Sequence, residues 1–313
     1  MLQSLVSSSA ANLAAPLVAG VAPVRAGHIT MSDGVRLFIR HFEAPRSLRR
    51  PVVCLAGLTR NGRDFDELAQ ALSNPTGHRR SVITIDARGR GLSDYDPNWK
   101  NYNVLVEAAD ILDVLTAFDL HKPALIATSR GGILAMVAAV MRPAALGPVV
   151  LNDIGPVIEE QGIARIAAYA GRLPTPGSWD EAARLCRDLS RHQFPDLDDE
   201  AWMGQARKTF NDAGGRPAAG CDKAISRQIA AAGGAIPKLW PQFMALSHVP
   251  AMAIRGANSD ILSVETLVEM QRRHPNLRAL TVPNQGHAPL LTDAASIAAI
   301  NEFLIDTDGN RIC

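Results

Sequence analysis

Ser129 stands in the segment Ala127-Thr128-Ser129-Arg130-Gly131-Gly132, directly after the apolar run Ala124 to Thr128. A serine held on a tight strand-to-helix turn needs neighbours with little side chain, and the helix behind it offers backbone N–H groups to negative charge. Such a serine is a weak nucleophile until a base takes its proton and a carboxylate steadies the base. Two later segments offer those partners: Arg255-Gly256-Ala257-Asn258-Ser259-Asp260 and Asn284-Gln285-Gly286-His287, each following an apolar run. Taken singly, a serine or aspartate after a strand is often a helix cap and a loop histidine is often only solvated. The three groups fall in the order Ser, Asp, His at matching carboxyl ends of strands, where ligand and catalytic groups of open α/β sheets collect. Ser129 is therefore the expected nucleophile, His287 the base and Asp260 the acid.

Leu151-Asn152-Asp153-Ile154-Gly155-Pro156 adds a second candidate acid at the end of an earlier strand. Asp260 is preferred, because Asp153 has another use in pairing with Arg130. A guanidinium beside the nucleophile is costly to desolvate alone, and a carboxylate one strand over could satisfy it. The alternative for Arg130 is to hold a carboxylate of the substrate.

The elements that would position these residues alternate from Gly34 onward. Strands are expected at Gly34–Glu43, Pro51–Ala56, Ser81–Asp86, Ala124–Thr128 and Pro148–Leu151, and helices at Phe65–Leu72, Tyr102–Phe118 and from Ser129 to Arg142. Between Gly155 and Ser247 the alternation lapses into helical patterns joined by turn-rich links (Pro174–Gly177, Ala213–Pro217), without a strand. It resumes with Ala251–Arg255, Glu265–Arg273, Leu277–Val282 and Ala294–Ile305. The expected fold is α/β, a mostly parallel central sheet with helices on both faces and an inserted helical cap. Its parts are an N-terminal extension over residues 1–27 without regular structure, a core over 28–155 and 248–313, and a cap over 156–247. Trp179, Trp202, Phe210, Trp240 and Phe243 either pack the cap on its base or line a pocket.

The chain has 313 residues, 47% hydrophobic and 20% charged, enough for one large core. With 32 basic and 31 acidic residues and a net charge of +1, it presents no broad field for nucleic acid or anionic lipid, so the expected partner is a small-molecule substrate. Residues 1–26 carry no basic residue before Arg25, unlike a secretory leader, and no membrane span is expected. Cys54, Cys186, Cys221 and Cys313 form no CxxC pair, which suggests neither zinc nor a disulfide framework and fits a reducing, cytoplasmic setting. No metal or cofactor is expected. The oligomeric state is left open, a homodimer included.

These motifs resemble the α/β-hydrolase superfamily, in the capped branch that includes esterases, lactonases, haloalkane dehalogenases and carbon-carbon bond hydrolases. The resemblance covers Gly34 to Ile305. It includes Asp86-Ala87-Arg88-Gly89-Arg90-Gly91-Leu92-Ser93, similar to the loop before that family's long helix, and Ala56-Gly57-Leu58-Thr59-Arg60, similar to its oxyanion loop. The resemblance implies that the N–H groups of Leu58 and Arg130 face the developing oxyanion, a role that often supplies the largest single catalytic effect. Ala56 replaces the usual histidine before the glycine, and Ala127 replaces glycine in the nucleophile turn; neither change removes a backbone donor. Cleavage of a small carboxylic ester or lactone through an acyl-enzyme is the leading expectation. Carbon-carbon hydrolysis of a diketone or keto acid is the alternative, and a ligand receptor built on the same fold is the alternative of another class. Dehalogenase or epoxide hydrolase chemistry is disfavoured, because those enzymes carry an aspartate where this chain has Ser129.

Overall fold

Val52–Leu55, Val82–Ile85 and Val149–Asn152 are buried along their whole length, which is why they read as continuous apolar runs rather than alternating ones. A computed structural model of the chain describes residues 23–74, 79–231 and 237–309. In chain order its elements are β1 (Val24–Thr30), β2 (Arg36–Phe42), β3 (Val52–Leu55), α1 (Asp66–Ser73), β4 (Val82–Ile85), α2 (Val104–Ala117), β5 (Ala124–Thr128), α3 (Arg130–Met141) and β6 (Val149–Asn152). After β6 come α4 (Glu160–Tyr169), α5 (Trp179–Ser190), α6 (Asp199–Thr209), the short strands β7 (Asn211–Asp212) and β8 (Pro217–Ala218), α7 (Ile225–Ala231) and α8 (Trp240–Met244). The chain then completes the sheet with β9 (Ala251–Gly256), α9 (Val264–Arg273), β10 (Leu277–Val282) and α10 (Ala294–Thr307).

The main sheet has eight strands in the order β1-β2-β4-β3-β5-β6-β9-β10. β1 and β2 run antiparallel, β2 pairs antiparallel with β4, and the other pairs are parallel. Side chains alternate between the two faces, as strand geometry requires. Val53, Leu55, Leu125, Ala127, Val149 and Leu151 join one core with α2, α3 and α9, whereas Val52, Cys54, Ala124, Ile126 and Val150 join the other with α1 and α10. The ends of β5, β6 and β9 therefore lie side by side in register, with Thr128 opposite Asn152 and Asn152 opposite Ile254.

Three expectations change. The strand signal of β1 was hidden because an edge strand buries little, and residues 24–27, assigned to the extension, pair with β2 from Val24↔Phe42 to Thr30↔Arg36; residues 1–22 lie outside the described residues. The cap, expected to be without strands, contains the hairpin β7/β8, paired Asn211↔Ala218. The expected cap boundary at residue 247 falls too late, because Phe243 and Leu246 are fully buried in the same core as α3. The cap closes where the Leu239 N–H donates to the Pro156 carbonyl at 2.7 Å.

Within the cap, Ala182, Ala206 and Phe210 form a small core of their own, with Trp179 and Leu185 packed against it. Because the cap leaves and rejoins the core at adjoining residues, replacing 157–238 by a short Gly/Ser linker should leave a core that melts in one cooperative transition with α/β circular dichroism. Loss of that transition would show that the cap is part of the main folding unit.

Candidate active site

The turn after β5 puts Ser129 at φ 53° and ψ −117°, a conformation non-glycine residues rarely adopt and one that the surroundings must impose. Two glycines allow it. A Cβ at Gly131 would stand 2.3 Å from the Leu55 carbonyl oxygen, and one at Gly132 would stand 2.3 Å from Ile154 Cγ2. The start of α3 thus lies against β3 and the end of β6, and the Ser129 N–H donates to the Asn152 carbonyl at 3.0 Å.

His287, on the loop after β10, bonds through Nε2 to Ser129 Oγ at 2.8 Å and through Nδ1 to Asp153 Oδ2 at 2.8 Å. Asp153 follows β6 directly, has φ 55°, and is wholly buried. Its other bonds come from the Gly256 N–H to Oδ1 at 2.9 Å and from Ser259 Oγ to Oδ2 at 2.6 Å. Asn152 Nδ2 ties the same region together by donating to Thr128 Oγ1 at 3.0 Å and to the Pro289 carbonyl at 2.9 Å.

The expected pairing of Asp260 with His287 is therefore corrected. Asp260 takes a bidentate bond from Arg165 of α4, Nε to Oδ2 at 2.6 Å and Nη2 to Oδ1 at 2.9 Å. Burial raises its carboxyl, but the Arg165 bonds and charge outweigh burial and hold it below the ordinary value. Asp260 joins cap to core. The motif that contains it still serves the site, through the Gly256 N–H and the Ser259 hydroxyl on Asp153.

Arg130 does not pair with Asp153 either. Its Nε donates to Glu107 Oε2 at 2.7 Å and its Nη2 to the Tyr102 carbonyl at 3.0 Å. Glu107, on α2, also takes a bond from Arg90 Nη1 to Oε1 at 2.8 Å, and Arg90 Nε donates to the Leu58 carbonyl at 2.8 Å. One buried carboxylate thus links the loop of Leu58 to the residue after Ser129. Burial works to raise the Glu107 carboxyl, yet the charges and hydrogen bonds of Arg90 and Arg130 prevail and hold it below its ordinary 4.5. As the first residue of α3, Arg130 has no intrahelical partner for its N–H, and among the described residues neither that N–H nor that of Leu58 is paired with an acceptor.

Two cavities meet at Ser129. The smaller, about 170 Å³, is bounded by His287, Leu58, Arg60, Tyr169 and Thr209. The larger, about 610 Å³, is bounded by Leu58, Arg130, Ile133, Val137, Ile163 and Ala167, and not by His287. Of the aromatic residues singled out in the sequence, Trp202 borders the smaller cavity, Trp179 and Phe210 serve the cap's own core, and Trp240 and Phe243 pack edge to face at 5.9 Å.

Residues 50–294 match the family model described as alpha/beta hydrolase fold. The chain belongs to the α/β hydrolase family. It is 31% identical over 271 residues to the 3-hydroxybutyrate-oligomer hydrolase of Cupriavidus necator, covering 81% of this chain and 88% of that protein. It is 29% identical over 247 residues to the sn-1-specific diacylglycerol lipase ABHD11 of Mus musculus, covering 75% of this chain and 74% of that one. The crystal structure of an α/β hydrolase from Novosphingobium aromaticivorans superimposes with a TM-score of 0.84 at 37% identity, covering 91% of this chain and 99% of that one. This chain is a hydrolase.

For this α/β hydrolase, sequence reasoning brought Ser129, His287, Leu58, Arg130 and Asp153 into one site and missed Glu107, Arg90 and Ser259. Ser259 lay one residue before the wrongly favoured acid; Glu107 carried no signal beyond being a charge within a largely apolar helix. Replacing Glu107 by glutamine leaves the buried Arg90 and the partly buried Arg130 without their countercharge, which should cost about 3 to 5 kcal/mol of stability at neutral pH. Because the folded-state value of Glu107 is depressed, the wild type holds this stabilisation above about pH 4.5 and loses it as pH falls through the folded value. The gap in thermal midpoint between wild type and Glu107→Gln should therefore close on acidification. A gap that widens instead would contradict the assigned pairing.

Proposed function

We propose that the protein is a serine hydrolase that cleaves a carboxylic ester through an acyl-enzyme. The observation that carries this reading is the unbroken hydrogen-bond chain from Asp153 through His287 to Ser129. Asp153 holds the imidazole with Nδ1–H toward itself, so that Nε2 is the acceptor for the Ser129 proton and the imidazolium that forms is charge-balanced. Ser129 Oγ attacks the ester carbonyl as its proton passes to His287. The carbonyl oxygen becomes an oxyanion that accepts hydrogen bonds from the N–H groups of Leu58 and Arg130, fixed relative to one another by the Arg90–Glu107–Arg130 link. His287 then returns the proton to the leaving alkoxide, and the alcohol departs. Water, deprotonated by His287, attacks the acyl-Ser129 ester, and the acid is released with Ser129 restored.

The relatives support an ester, since 3-hydroxybutyrate oligomers and diacylglycerols both carry ester bonds. The carbon-carbon alternative drew on Arg130 as a holder of an acidic substrate; with its guanidinium bound to Glu107 and Tyr102, that support falls away. Ser129→Ala should keep the wild-type thermal midpoint and lower kcat on a simple ester by roughly 10⁴-fold or more, and a fluorophosphonate should modify Ser129 in the wild type. Activity within about tenfold of wild type, or modification of a different serine, would sink the mechanism.

A further inference from the structure

We infer that the two cavities divide the substrate between them: the larger holds its acyl chain, and the smaller, beside His287, holds the alcohol that leaves. This rests on the acyl-transfer reading and adds the substrate class to it. When Ser129 Oγ bonds to the carbonyl carbon, three other substituents must point away from that centre. The oxyanion is directed at the N–H groups of Leu58 and Arg130. The leaving oxygen must lie where His287 Nε2 can protonate it, because general acid transfer needs hydrogen-bond reach. His287 borders the smaller cavity and not the larger. The direction left for the acyl chain is the cavity that reaches Ser129, Leu58 and Arg130 without reaching the histidine.

The walls agree with that division. The larger cavity runs between α3 and α4 along Ile133, Val137, Ile163 and Ala167, and it ends in solvent at Leu105, Val140 and Met141, which are 62%, 54% and 45% exposed. Its volume of about 610 Å³ lies within the range of ligand sites, whose walls are mostly apolar. The smaller cavity, about 170 Å³, sets Arg60, Tyr169 and Gln205 beside Ile166, Leu189 and Trp202, and its size suits a compact alcohol. The substrates so defined are esters of an apolar acid of several carbons with a compact alcohol.

Two ester series test this, one lengthening the acyl chain on a fixed p-nitrophenol and one lengthening the alcohol on a fixed acetate. Each methylene that leaves water is worth up to about fourfold, so kcat/KM should rise at least about tenfold from the acetyl to the octanoyl ester. Ala167→Phe, and Ile133→Phe from the facing wall, should each lower the octanoyl-to-acetyl ratio by about tenfold, while Leu189→Phe, in the His287 cavity, should change the alcohol series instead. Thermal midpoints and fluorophosphonate modification of Ser129 report whether each variant is folded and competent. A flat acyl profile in the wild type, or Ala167→Phe acting on the alcohol series, would overturn the assignment while leaving the acyl-transfer reading in place. A wild type that hydrolyses no ester and whose Ser129 resists the fluorophosphonate would overturn both.

Discussion

A fully buried carboxylate is tolerated only when its lone pairs are met by donors, and Asp153 meets this condition with three of them drawn from two other segments. The Gly256 N–H and Ser259 hydroxyl come from the last residue of β9 and the turn after it, and His287 comes from the loop after β10. The charge therefore fixes how the ends of β6, β9 and β10 stand relative to one another. Ser129, tied to Asn152 by its own N–H, completes the set one strand across. Both Ser129 and Asp153 sit at positive φ, so the sheet and its glycines hold two strained residues in place at adjoining strand ends.

A second buried charge organises the other side of the same serine. Glu107 lies between Arg90 and Arg130, and through Arg90 it reaches the carbonyl of Leu58. The same loop carries the cap: Arg90 bridges Cys221, the Asp222 N–H donates to the Gly89 carbonyl at 2.8 Å, and Tyr102 Oη donates to Asp222 Oδ2 at 2.5 Å. At the far side, Asp260 and Arg165 join α4 to the turn after β9. The cap is thereby held to loops two strands away from Ser129 on either side, and these polar contacts act together with the packing of Ile158, Ile163 and Ile166 against the main core.

The alternation of strands and helices was legible because each central strand is an apolar run buried on both faces; β5 and β10 have the bounds that their patterns implied. The serine turn was legible because its glycines are demanded by close backbone approach. What the pattern did not carry were contacts across the sequence. Asp153 and Asp260 both end apolar strands, and a linear reading has no measure of which carboxylate faces the imidazole and which faces Arg165. Glu107 was invisible for the same reason: its partners lie 17 and 23 residues away, on other elements. Edge strand β1 escaped because none of its side chains is buried, so no alternation was imposed on its residues.

The proposed mechanism stands or falls on which aspartate serves His287, and kcat on a simple ester for Asp153→Asn and Asp260→Asn measures that directly. An amide at 153 no longer holds the imidazole in the required tautomer or balances the imidazolium, and its variant should lose roughly 10⁴-fold in kcat with little change in KM. The amide at 260 disturbs the Arg165 contact and should leave kcat within about tenfold of wild type while lowering the thermal midpoint, since one partner of a half-buried pair is removed. An Asp260→Asn enzyme without turnover beside an active Asp153→Asn enzyme would contradict the account.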